Sequence, residues 1–357
     1  MNPLLELNKF GQSVWLDFIR RDFVTGGGLQ KLISEDGLAG LTSNPAIFEK
    51  AMGGGNEYSA AIRALKAKGY DATELYEALA VEDIRAAADL FKPVFEATKG
   101  EDGYVSLDVS PYKAHATAAT VAEAHRLWKE VARPNLMIKV PGTPEGLPAI
   151  EMLIAEDMNV NVTLLFSRAV YEQVAERYLA GLERRAAQGM DLGRIASVAS
   201  FFVSRIDSAV DPLVPEALRG KTAIANAVLA YEGYKRIFSG TRWKALAEKG
   251  ARPQRLLWAS TSTKNPAYRD VMYVEELIGR NTVNTLPPAT VDAFRDHGKP
   301  RASLEEDVDA ARATLDAVGK HVSLDDITAK LTQDGVKLFA DAFDKLLAAV
   351  EAARKAA

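Results

Sequence analysis

Short runs of apolar and β-branched residues alternate along the chain with longer, alanine-rich stretches of helical spacing. The short runs lie at 13–18, 38–41, 104–110, 135–141, 159–166, 195–204, 255–260 and 281–286. Their β-formers and the polar or Pro/Gly turns that close them predict strands. Helical spacing predicts helices over 57–70, 73–98, 114–132, 168–187 and 222–238, with another opening near 143–148 and a short segment at 270–279. The tail from 334 to 357 places Val336, Phe339, Phe343, Leu346, Leu347 and Val350 on one stripe, which predicts an amphipathic helix. No Pro/Gly/Ser linker, repeat or low-complexity tract divides the chain. Eight strands, most followed by helices, predict an α/β fold: a single (β/α)8 TIM-barrel domain over 1–357, with a C-terminal helical extension from about residue 300. The competing architecture is a doubly wound open sheet, whose glycine-rich dinucleotide fingerprint is absent.

One lysine interrupts the run at 135–141. Side chains alternate along a strand, so Lys139 shares a face with Met137 while Leu136, Ile138 and Val140 take the other. If both faces are covered, the amine is buried, and burial disfavours its charged form. A neutral amine attacks carbonyls and forms Schiff bases. The ordinary alternative is an edge-strand lysine, or one that snorkels to solvent.

Barrel chemistry collects at the C-terminal ends of the strands. Asp17, Thr42 to Asn44, Asp108, Lys139, Asn161, Thr163, Ser200, Arg205, Ser260 and Lys264 all fall there. Singly, each has a plain explanation. Asp17 and Asp108 can cap helices, Asn44 before Pro45 can form a turn, Thr163 can fill a strand, and Arg205 can pair at the surface. Jointly they bring polar groups from about six strands to one mouth, beside the lysine. A lysine imine withdraws electrons from the adjacent carbon and permits C–C cleavage beside a carbonyl. Asp17 is the candidate acid–base for the proton of the cleaved alcohol. Asp108 with Thr163 could hold and activate the water of imine formation and hydrolysis. Arg205, Lys264 and Ser260 could bind a sugar phosphate.

Composition narrows the classes further. Hydrophobic residues make up 48% and charged residues 26%, as in a soluble globular protein. The net charge of −4 offers no basic field, so no nucleic-acid partner is expected. The chain has no cysteine, which excludes disulfides, thiolate metal sites and cysteine nucleophiles, and fits a reducing cytoplasm. The N-terminus lacks a signal-peptide pattern, and no apolar run reaches the roughly 18 residues of a membrane span. A cytoplasmic protein without membrane association is expected. His115, His125, His297 and His321 show no metal-ligand spacing, and the triplet Gly26-Gly27-Gly28 lacks the Gly-Lys-Ser/Thr of a phosphate loop. No metal and no cofactor are expected.

With these residues assembled, the chain resembles the transaldolase family. The resemblance runs from about Ser13 to Pro287. Its motifs are Gly40-Leu41-Thr42-Ser43-Asn44-Pro45, Leu136-Met137-Ile138-Lys139-Val140-Pro141, Asn161-Val162-Thr163-Leu164-Leu165-Phe166-Ser167 and Ser200-Phe201-Phe202-Val203-Ser204-Arg205. It implies a barrel of the class I aldolase type. It implies Schiff-base transfer of a dihydroxyacetone unit, from sedoheptulose 7-phosphate or fructose 6-phosphate, to glyceraldehyde 3-phosphate or erythrose 4-phosphate. That is the non-oxidative pentose phosphate pathway. It implies sugar-phosphate partners and a monomer or homodimer. By motif position, Lys139 is similar to the family's Schiff-base lysine and Asp17 to its acid–base. Asn44 and Asn161 resemble its substrate-hydroxyl contacts, and Thr163 the threonine that helps hold the catalytic water. Ser200 and Arg205 match its substrate- and phosphate-binding positions.

The chain departs from the pattern in three places. Asp108 stands where the family usually has glutamate. Lys264 stands roughly where shorter members have arginine. The run 200–205 replaces the Ser-Pro-Phe-Val-Gly-Arg of the shorter branch, which resembles the longer bacterial branch. Two rivals remain: a lyase that releases dihydroxyacetone, and a non-catalytic sugar-phosphate-binding barrel. Related lyases have a tyrosine where this chain has Phe202, which favours transfer.

Overall fold

Eight parallel strands close into a barrel in chain order, in a computed structural model that describes residues 2–53 and 56–357. They are β1 (Gln12–Asp17), β2 (Gly40–Thr42), β3 (Tyr104–Asp108), β4 (Leu136–Pro141), β5 (Val160–Leu165), β6 (Ser197–Phe202), β7 (Arg255–Ala259) and β8 (Thr282–Leu286). β8 returns to pair with β1, Trp15 opposite Thr285, so no edge strand is left. The expected (β/α)8 architecture is the one observed.

Parallel strands enclosed by helices are covered on both faces. β4, β5 and β6 are accordingly buried at every position. Alternation then sends Leu136, Ile138 and Val140 toward the helices, and Met137 and Lys139 into the barrel.

The barrel floor holds a polar group built around one buried ion pair. Arg255, at the start of β7, lies 2.8 Å from Asp102 and donates to Ser13 Oγ at 2.9 Å. Asp102 also accepts from Ser13 Oγ at 2.6 Å and Trp15 Nε1 at 3.0 Å. β2 begins on glycine for a steric reason: a Cβ on Gly40 would lie 2.5 Å from the Trp15 indole. Above this floor, β5 is irregular. Its register with β6 shifts between Val162 and Leu165, and Leu164 takes a φ of +60°. The irregularity directly follows Thr163.

Several elements differ from the sequence expectation. The helix expected over 57–70 is confined to Ser59–Lys66, and the segment at 270–279 to Met272–Glu275. Helices Pro3–Leu7, Pro45–Gly53 and Pro288–His297 were not expected. Each opens on proline, which suits a first helical turn where the N–H has no partner to lose. Residues 298–334, to which the sequence assigns no role, include the helix Val308–Val318. The tail helix runs over Leu324–Ala356, ten residues longer at its start than expected. Ser323 caps it by accepting from the Asp326 N–H, and Asp325 and Asp326 in its first turn suit the helix dipole. This helix crosses the C-terminal end of the barrel and packs on Pro45–Gly53 and Ala72–Ala97. Among the described residues, no helix is long and apolar enough to cross a membrane.

Candidate active site

Lys139 points into the barrel near the top of β4 and is only 4% exposed. Its Nζ donates to the Ser43 carbonyl at 2.8 Å and lies 3.7 Å from Asp108 Oδ1. The register explains these neighbours, since Lys139 sits opposite Asp108 on one side and Asn161 on the other. The Phe339 ring of the tail helix lies over the same nitrogen, 5.8 Å away at its centroid.

Two carboxyls share this environment. Asp17, closing β1, accepts from Thr42 Oγ1 at 2.7 Å, and Thr42 Oγ1 lies 2.8 Å from Thr285 Oγ1. Burial pushes the Asp17 carboxyl above its ordinary range, opposed by Lys139, the Thr42 hydrogen bond and Lys264. Burial also lifts Asp108, to about 7, with the Asp17 charge adding to the rise and Lys139 opposing it. Two buried oxygens near the site, Asp108 Oδ2 and Thr163 Oγ1, have no hydrogen-bond partner among the described residues.

A cavity of about 480 Å³ opens above the lysine. Ten of the sequence-expected residues line it: Asp17, Thr42, Asn44, Lys139, Thr163, Ser200, Phe202, Arg205, Ser260 and Lys264. Asn161 does not. It is held in an internal chain, donating to Ser106 Oγ at 3.0 Å and accepting from Ser200 Oγ at 2.7 Å. Asp108 touches the lysine from the side and faces a neighbouring crevice instead. Asn44 does double duty, since its Oδ1 also accepts from the Ile47 N–H at the start of Pro45–Gly53.

The far wall is cationic. Arg205, on the short helix Ser204–Val210, stacks over the Phe202 ring at 5.5 Å. Its guanidinium has no carboxylate partner among the described residues, and burial lowers its proton affinity. Lys264 donates to Ser262 Oγ at 2.7 Å. Burial, then repulsion from Arg205, pulls its pKa down. Two cations held together, each with unfavourable self-energy, form a site that an anion would stabilise. Ser260, at a φ of +55°, lies 3.0 Å from Ser204 Oγ at the rim.

Other lining residues escaped the sequence reading. Thr285 and Ser262 were detectable in principle, one by its alternation in β8 and one by its place after β7. Phe339, Asp341 and Lys345 come from the tail helix, and no local pattern says that this helix crosses the mouth. An interior amine, two carboxyls with raised pKa and a cationic rim can together form an imine, move protons beside it and hold a phosphorylated substrate.

The chain is similar to known proteins over almost its whole length. A model of the transaldolase/fructose-6-phosphate aldolase family matches residues 14–350. A transaldolase of Trichodesmium erythraeum is 48% identical, over 98% of this chain and 97% of its own. One of Thiobacillus denitrificans is 49% identical, over 98% of this chain and all of its own. One of Thermobifida fusca is 49% identical, over 97% of this chain and 96% of its own.

Proposed function

Since the chain belongs to the transaldolase/fructose-6-phosphate aldolase family, we propose that Lys139 is the Schiff-base lysine of a transaldolase. The enzyme moves a dihydroxyacetone unit from a ketose phosphate to an aldose phosphate. The observation that carries this reading is Lys139 itself, buried in the barrel between Asp17 and Asp108 and open to a cavity with a cationic far wall.

The Lys139 amine adds to the ketose carbonyl, and the carbinolamine loses water to give an iminium. Asp17 then takes the proton of the C4 hydroxyl as the C3–C4 bond breaks. The bonding electrons move into the iminium and leave an enamine. The aldose phosphate departs, another enters, and Asp17 returns the proton as the new C–C bond forms. Asp108 and Thr163 serve the water steps, which suits their unpartnered buried oxygens. Arg205 and Lys264 take the phosphate. The Phe339 ring lies where it faces the cationic nitrogen of the iminium.

Asn161 acts in this reading by holding Ser200 in position rather than by lining the cavity. Phe202 presents an apolar ring, packed on Phe166 at 5.2 Å, where a hydroxyl would help water reach the enamine. That favours passing the three-carbon unit to an aldehyde. The test is product analysis. With fructose 6-phosphate and erythrose 4-phosphate, sedoheptulose 7-phosphate should form, and its formation should require the acceptor. Free dihydroxyacetone at a comparable rate without an acceptor would instead make the protein a lyase.

A further inference from the structure

A second crevice, of about 430 Å³, lies beside the first and reaches the same chemistry from behind. It runs between the end of β3 and the helices Ala72–Ala97 and Thr117–Val131. Phe343 and Leu347 of the tail helix roof it. Its outer rim carries Tyr112 and Arg126, both exposed. Its inner end is Asp108, whose side chain is 9% exposed and whose Oδ2 has no partner among the described residues. Tyr76 and the buried Glu123 place polar atoms along its wall. The space is large enough for several waters at roughly 30 Å³ each, with polar groups to bind them.

We propose that this crevice is the passage by which water and protons reach and leave Asp108 while a sugar phosphate fills the main cavity. The inference rests on the imine reading above. Dehydration of the carbinolamine breaks its C–O bond: the hydroxyl takes the Asp108 proton and leaves as water, while the nitrogen lone pair forms the C=N bond. Hydrolysis reverses this. A water oxygen bonds to the carbon, its proton goes to the Asp108 carboxylate, and the C=N electron pair returns to nitrogen. Each turnover therefore needs one water out and one in at a point the substrate shields. The main cavity lacks Asp108 in its lining, and its own opening lies on the substrate side, under Phe339 and Lys345. The crevice meets Asp108 on its other flank.

The test fills the crevice from two walls, with Val81→Phe on Ala72–Ala97 and Leu347→Trp on the tail helix. The readouts are exchange of 18O from labelled water into the carbonyl of fructose 6-phosphate, kcat and KM for transfer, and borohydride labelling of Lys139. Exchange and kcat should fall by about tenfold, less than the roughly 10²–10⁴-fold cost of deleting an acid–base group. KM should change little, and Lys139 should still label. Exchange at the wild-type rate in either folded variant would overturn the passage. Failure of wild-type protein to label at Lys139 would instead overturn the imine reading on which it rests.

Discussion

Lys139 is buried without being isolated. The Ser43 carbonyl fixes its position, Asp108 approaches from the next strand, and Phe339 covers it. Of this, alternation made legible only that Lys139 shares a face with Met137 and is buried if both faces of the strand are covered; the Ser43 and Phe339 contacts were not legible. Asp108 shows where that logic stops. Its strand end was readable, but not that it would face a separate crevice, since that depends on a helix more than two hundred residues away. Asn161 looked the same as Thr163 by alternation, yet partners on β3 and β6 occupy its amide. Asp108 also carries a pH prediction. Its carboxyl is held up to about 7, so it is protonated below that pH and ionised above it. Carbinolamine dehydration, which needs the acid, should slow as pH rises through about 7. Imine hydrolysis, which needs the base, should slow as pH falls through it. Rapid-quench borohydride trapping separates the two steps, and Asp108→Asn should erase both inflections. A pH profile unchanged by that substitution would remove Asp108 from the water steps.

At the scale of elements, the strands are readable from sequence because each is short, apolar and closed by a polar end. The prolines at 3, 45 and 288 hid three helices, because proline marks a helix start as well as a break. The amphipathic stripe of the tail was visible, but not what it covers. Its 33 residues, about 50 Å of helix, span the mouth and deliver Phe339, Asp341 and Lys345 to the main cavity. Gly335 sets how closely this helix approaches. A Cβ there would lie 3.0 Å from Leu164, the strained residue after Thr163. Gly335→Ile should therefore push the helix outward, costing about 1–3 kcal/mol in urea unfolding. KM for fructose 6-phosphate should rise more than kcat falls, because the displaced wall binds substrate more than it reacts. An unchanged KM would show that the tail helix is a passive cover.

Over the whole molecule, the two ends of the barrel do different work. One hydrophobic core runs from Leu4 to Val350 and joins the tail helix to the barrel. The floor seals it with Arg255, Asp102, Ser13 and Trp15, a polar group in which each member finds its partners. Asp102→Ala leaves the Arg255 charge buried and unpaired, and should cost about 3–5 kcal/mol in urea unfolding. Since the floor is far from Lys139 along the strands, transfer by the folded variant should stay near wild type. A cost below about 1 kcal/mol would mean that water replaces the lost partner. The open end collects the chemistry, and its central claim is one covalent bond. Borohydride reduction with fructose 6-phosphate, read by peptide mass, measures that bond directly. A single adduct on Lys139 is expected, both in wild type and in Asp17→Ala, whose turnover should fall by about 10²–10⁴-fold. An adduct on any other lysine, or none, would contradict the account.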